Sequence, residues 1–352
     1  MLRFIINSIF NFGIIQSFAL IFVLINIFTF LLYAADKYKA TKNGWRVSEK
    51  LLIFFTLSLG GIGALVGMYL MKHKTGKLKF KLAATIGLII VFIPAIHIAY
   101  SFTSGRIIRF AEIEFVSENL PPWLEGYRIA FMTDMHIIAH EDMRKIIEEL
   151  NNRNLDLLLL GGDFSMGNDH YQGTLREISK TVTTDGIFGV EGNHDDYTRL
   201  FRAKKQYGII PLDNSGIHIR EGFYLAGVQD MWNRNPDINE AVAKSQSDDF
   251  VLLISHNPDV SMVQPTTGID LILAGHTHNG QIAPFGFPVY LLRNHITSYG
   301  TRFAHGFAYS AEGVPVFVSS GVGVYYGIPR IFTRPEVVIF TVISSGSCDF
   351  YY

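Results

Sequence analysis

Two histidines close an apolar run in "LILAGHTHNGQI", residues 271–282, and chemistry first becomes legible there. In extended chain, side chains two positions apart project the same way. His276 and His278 therefore leave the run together, with Gly275 and Gly280 on either side. A single histidine in such a place is ordinarily a satisfied polar group or a surface residue. A pair suits one shared task, and ligation of a metal is the task that imidazoles share most often.

The same ending recurs along the second half of the chain. "YRIAFMTDMH" (127–136) finishes in Asp134 and His136, and "LDLLLLGGD" (155–163) finishes in Asp163. "GIFGVEGNHDD" (186–196) carries Asn193 and His194, and "DFVLLISHNPD" (249–259) carries His256. Between the strands, apolar residues at 143, 146, 147 and 150 have helical spacing, and a further helix is expected over 174–182. This alternation predicts an α/β domain, in which ligands bind outside the carboxyl ends of the strands. Each ending has a plain explanation by itself: Asp134 as a helix cap, Asn193 in a left-handed turn, His256 as a loop residue before Asn257 and Pro258. Five such endings on five core strands point instead to one site rich in oxygen and nitrogen donors.

The charge distribution divides the 352 residues unevenly. Residues 1–100 hold eleven Lys and Arg against Asp36 and Glu49, a net +9, so the remainder carries −10. Ten of the twelve histidines lie in that acidic part. The basic part contains three uncharged apolar stretches, about residues 10–33, 51–71 and 82–102, each near the length needed to cross roughly 30 Å of hydrocarbon. The first is too long for a cleaved signal peptide, and no small-residue cleavage site follows it. The middle stretch lies between two basic loops, 37–50 and 72–81, so a spanning helix there would put one loop on the wrong side. Its centre, "GGIGALVG", is glycine-rich enough to turn back as a re-entrant hairpin, which would leave both loops cytoplasmic and everything after Ser101 outside. Cys348 is the single cysteine, so neither a disulfide framework nor a thiolate metal cluster is available.

Taken in order, Asp-x-His, Gly-Asp, Gly-Asn-His-Asp, a later His and Gly-His-x-His resemble the calcineurin-like metallophosphoesterase superfamily, over about residues 125–343. "GHTHNGQI" with "SYGTRF" and "VFVSSGVGVYYGIPRIFTRPEVVIFTV" is similar to its membrane-anchored bacterial phosphodiesterase branch. "ADKYKATKNGWRVSEK" and "GMYLMKHKTGKLKF" resemble a small bacterial membrane family with an Asp-Lys, Trp-Arg, Glu, His-Lys-Thr pattern, whose charges read as anchors flanking membrane segments. The resemblance implies an α/β fold of four layers, α/β/β/α, over 127–345. A helical membrane domain of about three segments (1–104) precedes it, joined by a linker and leading strand (105–126). It also implies two divalent metal ions. Asp134, His136 and His278 would hold one, Asn193, His256 and His276 the other, and Asp163 would bridge them. His194 matches no metal position and is left as transition-state stabiliser or general acid.

Two adjacent cations repel, and a shared carboxylate with a bridging hydroxide screens them; the same hydroxide can attack phosphorus in line. The sulfur-free donor set suits manganese, iron or zinc. Two departures bear on loop shape: Met166 stands where the second motif often has Asp, and Asn279 where Gly is common. His140, His170, His218, His295 and His305 are expected to be surface or locally bonded residues. The expected function is a multi-pass cell-membrane phosphodiesterase with an extracytoplasmic catalytic domain, acting on a phosphoester or pyrophosphate that could be lipid-linked. The competing reading is a transport or scaffold protein whose metal domain is a sensor or docking module. The acidic balance disfavours a nuclease, so no nucleic-acid partner is expected.

Overall fold

The computed structural model describes residues 2–104, 107–118, 120–164, 171–283, 286–288, 296–325 and 330–345. Met166, His170, His295 and Cys348 lie outside the described residues. The chain separates into two units, Met1–Ala99 and Tyr100–Tyr352.

The first unit contains α1 (Leu2–Thr41), α2 (Glu49–Leu57), α3 (Gly61–Leu70) and most of α4 (Leu78–Ser104). Ala19–Thr41 and Leu78–His97 are long and apolar enough to cross a membrane. The expected middle segment is not one helix. At 1.5 Å per residue its two halves reach only about 14 and 15 Å, and they break at Ser58–Gly60. Irregular backbone at membrane depth needs internal partners, and Asn26 of α1 supplies them. Its amide donates to Leu59 O (3.0 Å), and its Oδ1 accepts the Gly63 N–H (2.9 Å). Glycine is required for this approach, because a Cβ on Gly63 would lie 2.0 Å from Asn26 O.

Folding back brings the two basic loops together. Asp36 is fully buried and meets His73 Nε2 at 2.7 Å, Lys74 Nζ at 3.2 Å and Arg46 at 3.4 Å. Glu49 gathers Lys74 (2.9 Å), Lys77 (2.6 Å) and Lys79. The charges expected as separate membrane anchors are thus one network, because the hairpin returns the chain to the end it left.

The second unit is built on two six-stranded sheets. The first has the order β1 (Arg109–Ser117), β12 (Glu336–Ser344), β2 (Tyr127–Met132), β3 (Leu157–Leu160), β4 (Ile187–Gly189), β5 (Ile209–Pro211). The second runs β10 (Gly306–Tyr309), β11 (Pro315–Val318), β9 (Leu271–Ala274), β8 (Phe250–Ile254), β7 (Phe223–Gly227), β6 (Ser215–Arg220). β2 to β5 are mutually parallel, as are β7, β8, β9 and β11. Strand alternation sorts the side chains into layers. Ile129, Phe131, Leu157 and Leu159 face Leu225, Phe250, Leu252 and Leu273 across the space between the sheets. Ala130, Met132, Leu158 and Leu160 face the other way, onto α5 (His140–Asn151) and α6 (Tyr171–Ile178). Val251, Leu253 and Ile272 pack on α7 (Ile238–Val242) and α8 (Val260–Val263). The result is the expected four-layer α/β/β/α arrangement.

The leading strand expected within 105–126 takes residues 109–117, an edge strand paired in parallel with β12. One expectation shifts. The helix expected over 174–182 ends at Ile178, because Thr181 turns its hydroxyl back onto Ile178 O and Asn151 holds the Val182 N–H. All four apolar positions expected in α5, Met143, Ile146, Ile147 and Leu150, are buried.

Replacing Asn26 with Leu leaves the Leu59 carbonyl and Gly63 N–H without partners, at a cost of about 1–3 kcal/mol. A lower melting temperature of the full-length protein in detergent is expected, and an unchanged one would show that the turn is satisfied otherwise.

Candidate metal centre

Parallel strands end together, and the two sheets aim the carboxyl ends of β2, β3, β4, β8 and β9 at one place. The residues there adopt backbone that a strand cannot continue. Asp134, His136, Asp163, His276 and His278 all have positive φ, between 33° and 69°. Such strain in non-glycine residues persists only where surrounding structure enforces it. Glycines make room for it: a Cβ on Gly275 would lie 2.4 Å from Asp134 Oδ2, and one on Gly192 would lie 2.2 Å from Asp163 Oδ1.

Asp134, His136 and His278 form one cluster able to hold a metal ion, and Asp134, Asp163 and His256 form another. His278 Nε2 lies 3.3 Å from Asp134 Oδ1 and 2.9 Å from His136 Nε2. Two imidazole nitrogens facing each other at that distance need a proton or a cation between them. Asp163 Oδ2 stands 3.3 Å from His136 Nε2 and 3.2 Å from His256 Nε2, so one oxygen reaches both clusters. Asn193 Oδ1 is 3.0 Å from His256 Nε2, and His276 Nδ1 is 3.3 Å from the same nitrogen. All seven expected ligands therefore converge. Asp134 is common to both clusters, a sharing that sequence spacing did not suggest.

Outer partners fix which nitrogen each ring presents, as metal-binding histidines require. His256 Nδ1 bonds Gly161 O at 2.8 Å, leaving Nε2 for the site. His276 does the reverse, with Nε2 on Ile296 O at 2.8 Å and Nδ1 inward. His136 Nδ1 is buried without a hydrogen-bond partner among the described residues. Asp134 is held by the Thr133 hydroxyl (3.0 Å) and the His276 N–H (3.0 Å).

The electrostatics call for positive charge. Burial pushes Asp134 up to about 6 and lowers His136 to about 4 and His276 to about 3. Burial acts against ionisation of both Asp163 and His256, yet their mutual attraction prevails: the carboxyl is held down and the imidazole up. A proton on His256 thereby does part of the work of a cation. A metal ion reverses this logic, stabilising both carboxylates and requiring neutral imidazoles. The residues fit such an ion in donor type, burial and orientation.

His194 belongs to neither cluster but adjoins both. Its backbone N–H donates to Asp163 Oδ1 (2.8 Å), while its ring touches those of His136 (5.4 Å) and Tyr325 (5.3 Å). Bracing of this loop falls to Asp195, which accepts from Asp163 N–H and Gly192 N–H at 2.8 Å and Phe164 N–H at 2.9 Å. Burial, reinforced by Asp163, pushes Asp195 up to about 7. Of the histidines expected to lie aside, His218 pairs with Asp249 and His305 with Glu336, both at 2.8 Å. His140 packs its ring against Gly173.

Sequence reasoning missed three contributors. β7 is a sixth strand ending at the site: Asp230 accepts the Trp232 and Asn233 N–H groups (2.9 Å each), and Trp232 meets the His276 ring edge-on at 4.5 Å. Its signal, "FYLAGVQD", was available. Arg330 is fully buried and donates to Gly323 O (2.6 Å) and Gly321 O (3.2 Å), with His278 Nδ1 3.4 Å away. Tyr325 covers the rings of His136, His194 and His278.

Comparison with known proteins agrees with this geometry. Residues 127–280 match the family model described as calcineurin-like phosphoesterase. Over these residues the chain is similar to that family. An uncharacterized metallophosphoesterase of Helicobacter pylori strain J99 is 31% identical over 226 residues, covering 60% of this chain and 58% of that protein. One from Bacillus subtilis is 25% identical over 261 residues, covering 70% and 89%. A zebrafish (Danio rerio) transmembrane protein with metallophosphoesterase domain is 27% identical over 256 residues, covering 65% and 56%. The chain thus spans less than two thirds of the Helicobacter relative's length. Residues 26–80 match a protein family of unknown function, DUF1294.

Removing the loop brace by Asp195→Ala is expected to weaken metal binding about 10- to 100-fold, and Asp163→Asn to weaken it further. Competition against a calibrated chelator measures both, and wild-type affinity in Asp163→Asn would contradict its shared position.

Proposed function

We propose that this protein is a membrane-anchored, dinuclear-metal phosphodiesterase. The observation that carries the reading is Asp163 Oδ2, 3.3 Å from His136 Nε2 in one cluster and 3.2 Å from His256 Nε2 in the other, with the His194 ring against that of His136. Asp134, His136 and His278 would hold one ion and Asn193, His256 and His276 the other, with Asp163 placed to serve both. When bound, two divalent cations supply an activated water near neutral pH and neutralise the phosphoryl oxygens. Manganese, iron and zinc suit the donors.

The chain's own contribution is orientation and a proton. Gly161 O and Ile296 O hold His256 and His276 in the tautomers that face the substrate. His194 delivers a proton to the leaving oxygen, its ring kept in place by His136 and Tyr325. A sensor or docking module would have no use for an imidazole in that position.

The anchor supports an orientation. The ion pairs of Asp36 and Glu49 join both basic loops at one end of the first unit, the end that the positive-inside rule assigns to the cytoplasm. α2 and α3 then form a re-entrant hairpin, α4 runs outward, and the phosphoesterase domain is extracytoplasmic in the cell membrane. A substrate in or near that leaflet, a lipid-linked phosphoester or pyrophosphate, follows from this placement.

Purified full-length protein with manganese is expected to cleave bis(p-nitrophenyl) phosphate, and His194→Ala to lower kcat about 10²- to 10⁴-fold with metal content unchanged. Metal loss in that variant would assign His194 to structure, and no turnover by the metal-loaded wild type would favour the scaffold reading. For orientation, a chain lacking Cys348 is given one cysteine at a time. Ala40→Cys and Gly76→Cys are expected to be protected from an impermeant reagent in intact cells, and Leu120→Cys labelled; labelling at 76 would reject the hairpin.

A further inference from the structure

Beside the metal centre lies a groove of about 340 Å³, lined by Ile108, Ile137, Ile138, Val322, Val324 and Pro335. That volume falls in the range of small-ligand pockets, roughly 300–1,000 Å³. Asp142, in the first turn of α5, is the one charged residue among its lining, so a second phosphate would meet repulsion rather than a cation.

Two of its lining residues adjoin the site along the chain. Ile137 follows the ligand His136, and Val324 precedes Tyr325, whose ring lies 5.3 Å from both His136 and His194. An isolated bridge pairs Ile137 with Val324, so two apolar side chains are fixed where the groove meets the ligands. Ile137 is 42% exposed although it sits next to a wholly buried strand end. Aliphatic side chains left open beside a phosphoester site gain by covering hydrocarbon. The opposite flank differs: Trp232, half exposed against His276, and Asn233, which donates to Asn193 O, present ring and amide groups there.

We infer that this groove receives the hydrocarbon chain of a lipid-linked phosphoester. The inference rests on the phosphodiesterase reading and names its substrate class. The apolar lining selects hydrocarbon over a sugar or a second phosphate, and the same chain contains two apolar spans that would hold it where such substrates are found.

The test uses full-length, manganese-loaded protein in nanodiscs. Calorimetric titration with ethyl, butyl and hexyl phosphate reads binding without turnover, and hydrolysis of the ethyl, butyl and hexyl p-nitrophenyl phosphate diesters is followed in parallel. Affinity is expected to rise by up to about fourfold per methylene, and Ile137→Asn and Val324→Asn are each expected to bring the hexyl-to-ethyl ratio towards one. A flat series in the wild type overturns the groove. So does length dependence that survives both variants, or one abolished by Trp232→Ala instead. Length-dependent binding without hydrolysis would keep the groove and reject the hydrolase, whereas hydrolysis indifferent to chain length would keep the hydrolase and reject the groove.

Discussion

Two carboxylates buried in an apolar sandwich are the constraint from which the rest of the second unit follows. Asp134 and Asp163 are almost wholly removed from water, in a core whose neighbouring strands are Leu, Ile, Phe and Val. Isolated ionised groups cannot persist there; they must be neutralised or paired. Among the described residues, neither is done by a Lys or Arg at hydrogen-bonding distance. Imidazoles surround the carboxylates instead; burial drives His136, His276 and His278 towards the neutral form, while Asp163 holds His256 up. Such donors around two buried anions leave a charge deficit of the kind that a divalent cation meets.

Holding that arrangement requires backbone that strands do not supply. Five of the seven expected ligands sit past the strand ends on left-handed backbone, and residues outside the expected ligand set tie these turns together. Asp195 connects the β3 and β4 endings through three N–H groups. Arg330 ties the His278 turn to the loop after β11 through carbonyl oxygens. Burial lowers that guanidinium to about 10, still charged at neutral pH, so the loop geometry is maintained by a cation kept away from the anions it could otherwise neutralise. The two sheets meet at the site through Asp134 and His276, whose side chain and N–H bond across the interface. Sheet packing and ligand geometry are therefore one problem, and the Ile129, Phe131 and Leu273 contacts between the sheets position the ligands as much as the turns do.

Much of this was legible in the sequence because the ligand residues share one grammar: an apolar run, a small residue, then a hard donor. All seven expected ligands and His194 converge for that reason. Asp230 escaped notice because Gln229, not a small residue, precedes it and no histidine accompanies it. Arg330 escaped because its partners are carbonyls, which leave no trace in residue type. The middle apolar stretch was ambiguous for a related reason. Its composition allows a single span or a hairpin, and the decision rests on Asn26, thirty-three residues before the Leu59 carbonyl that it satisfies. Contacts at that separation are invisible to periodicity.

The first unit obeys the same physics with opposite signs. Its breakpoint is a turn among apolar helices, and the polar groups released there are met by one amide from α1. At the basic end, Asp36 is a lone buried carboxylate that is compensated, and here the chain does use cations: His73, Lys74 and Arg46 converge on it. Removing any single cation would leave the others in place, whereas removing Asp36 would strand three positive groups near one another. A buried pair of this kind is weak evidence of stability for its own sake. Its effect is on register: it fixes which residues of α1 stand opposite the turn after α3, and so where Asn26 meets the Ser58–Gly60 break. The acidic unit leaves its buried anions for a metal and the basic unit closes its own with side chains, which is why the first has the makings of a reactive centre and the second those of an anchor.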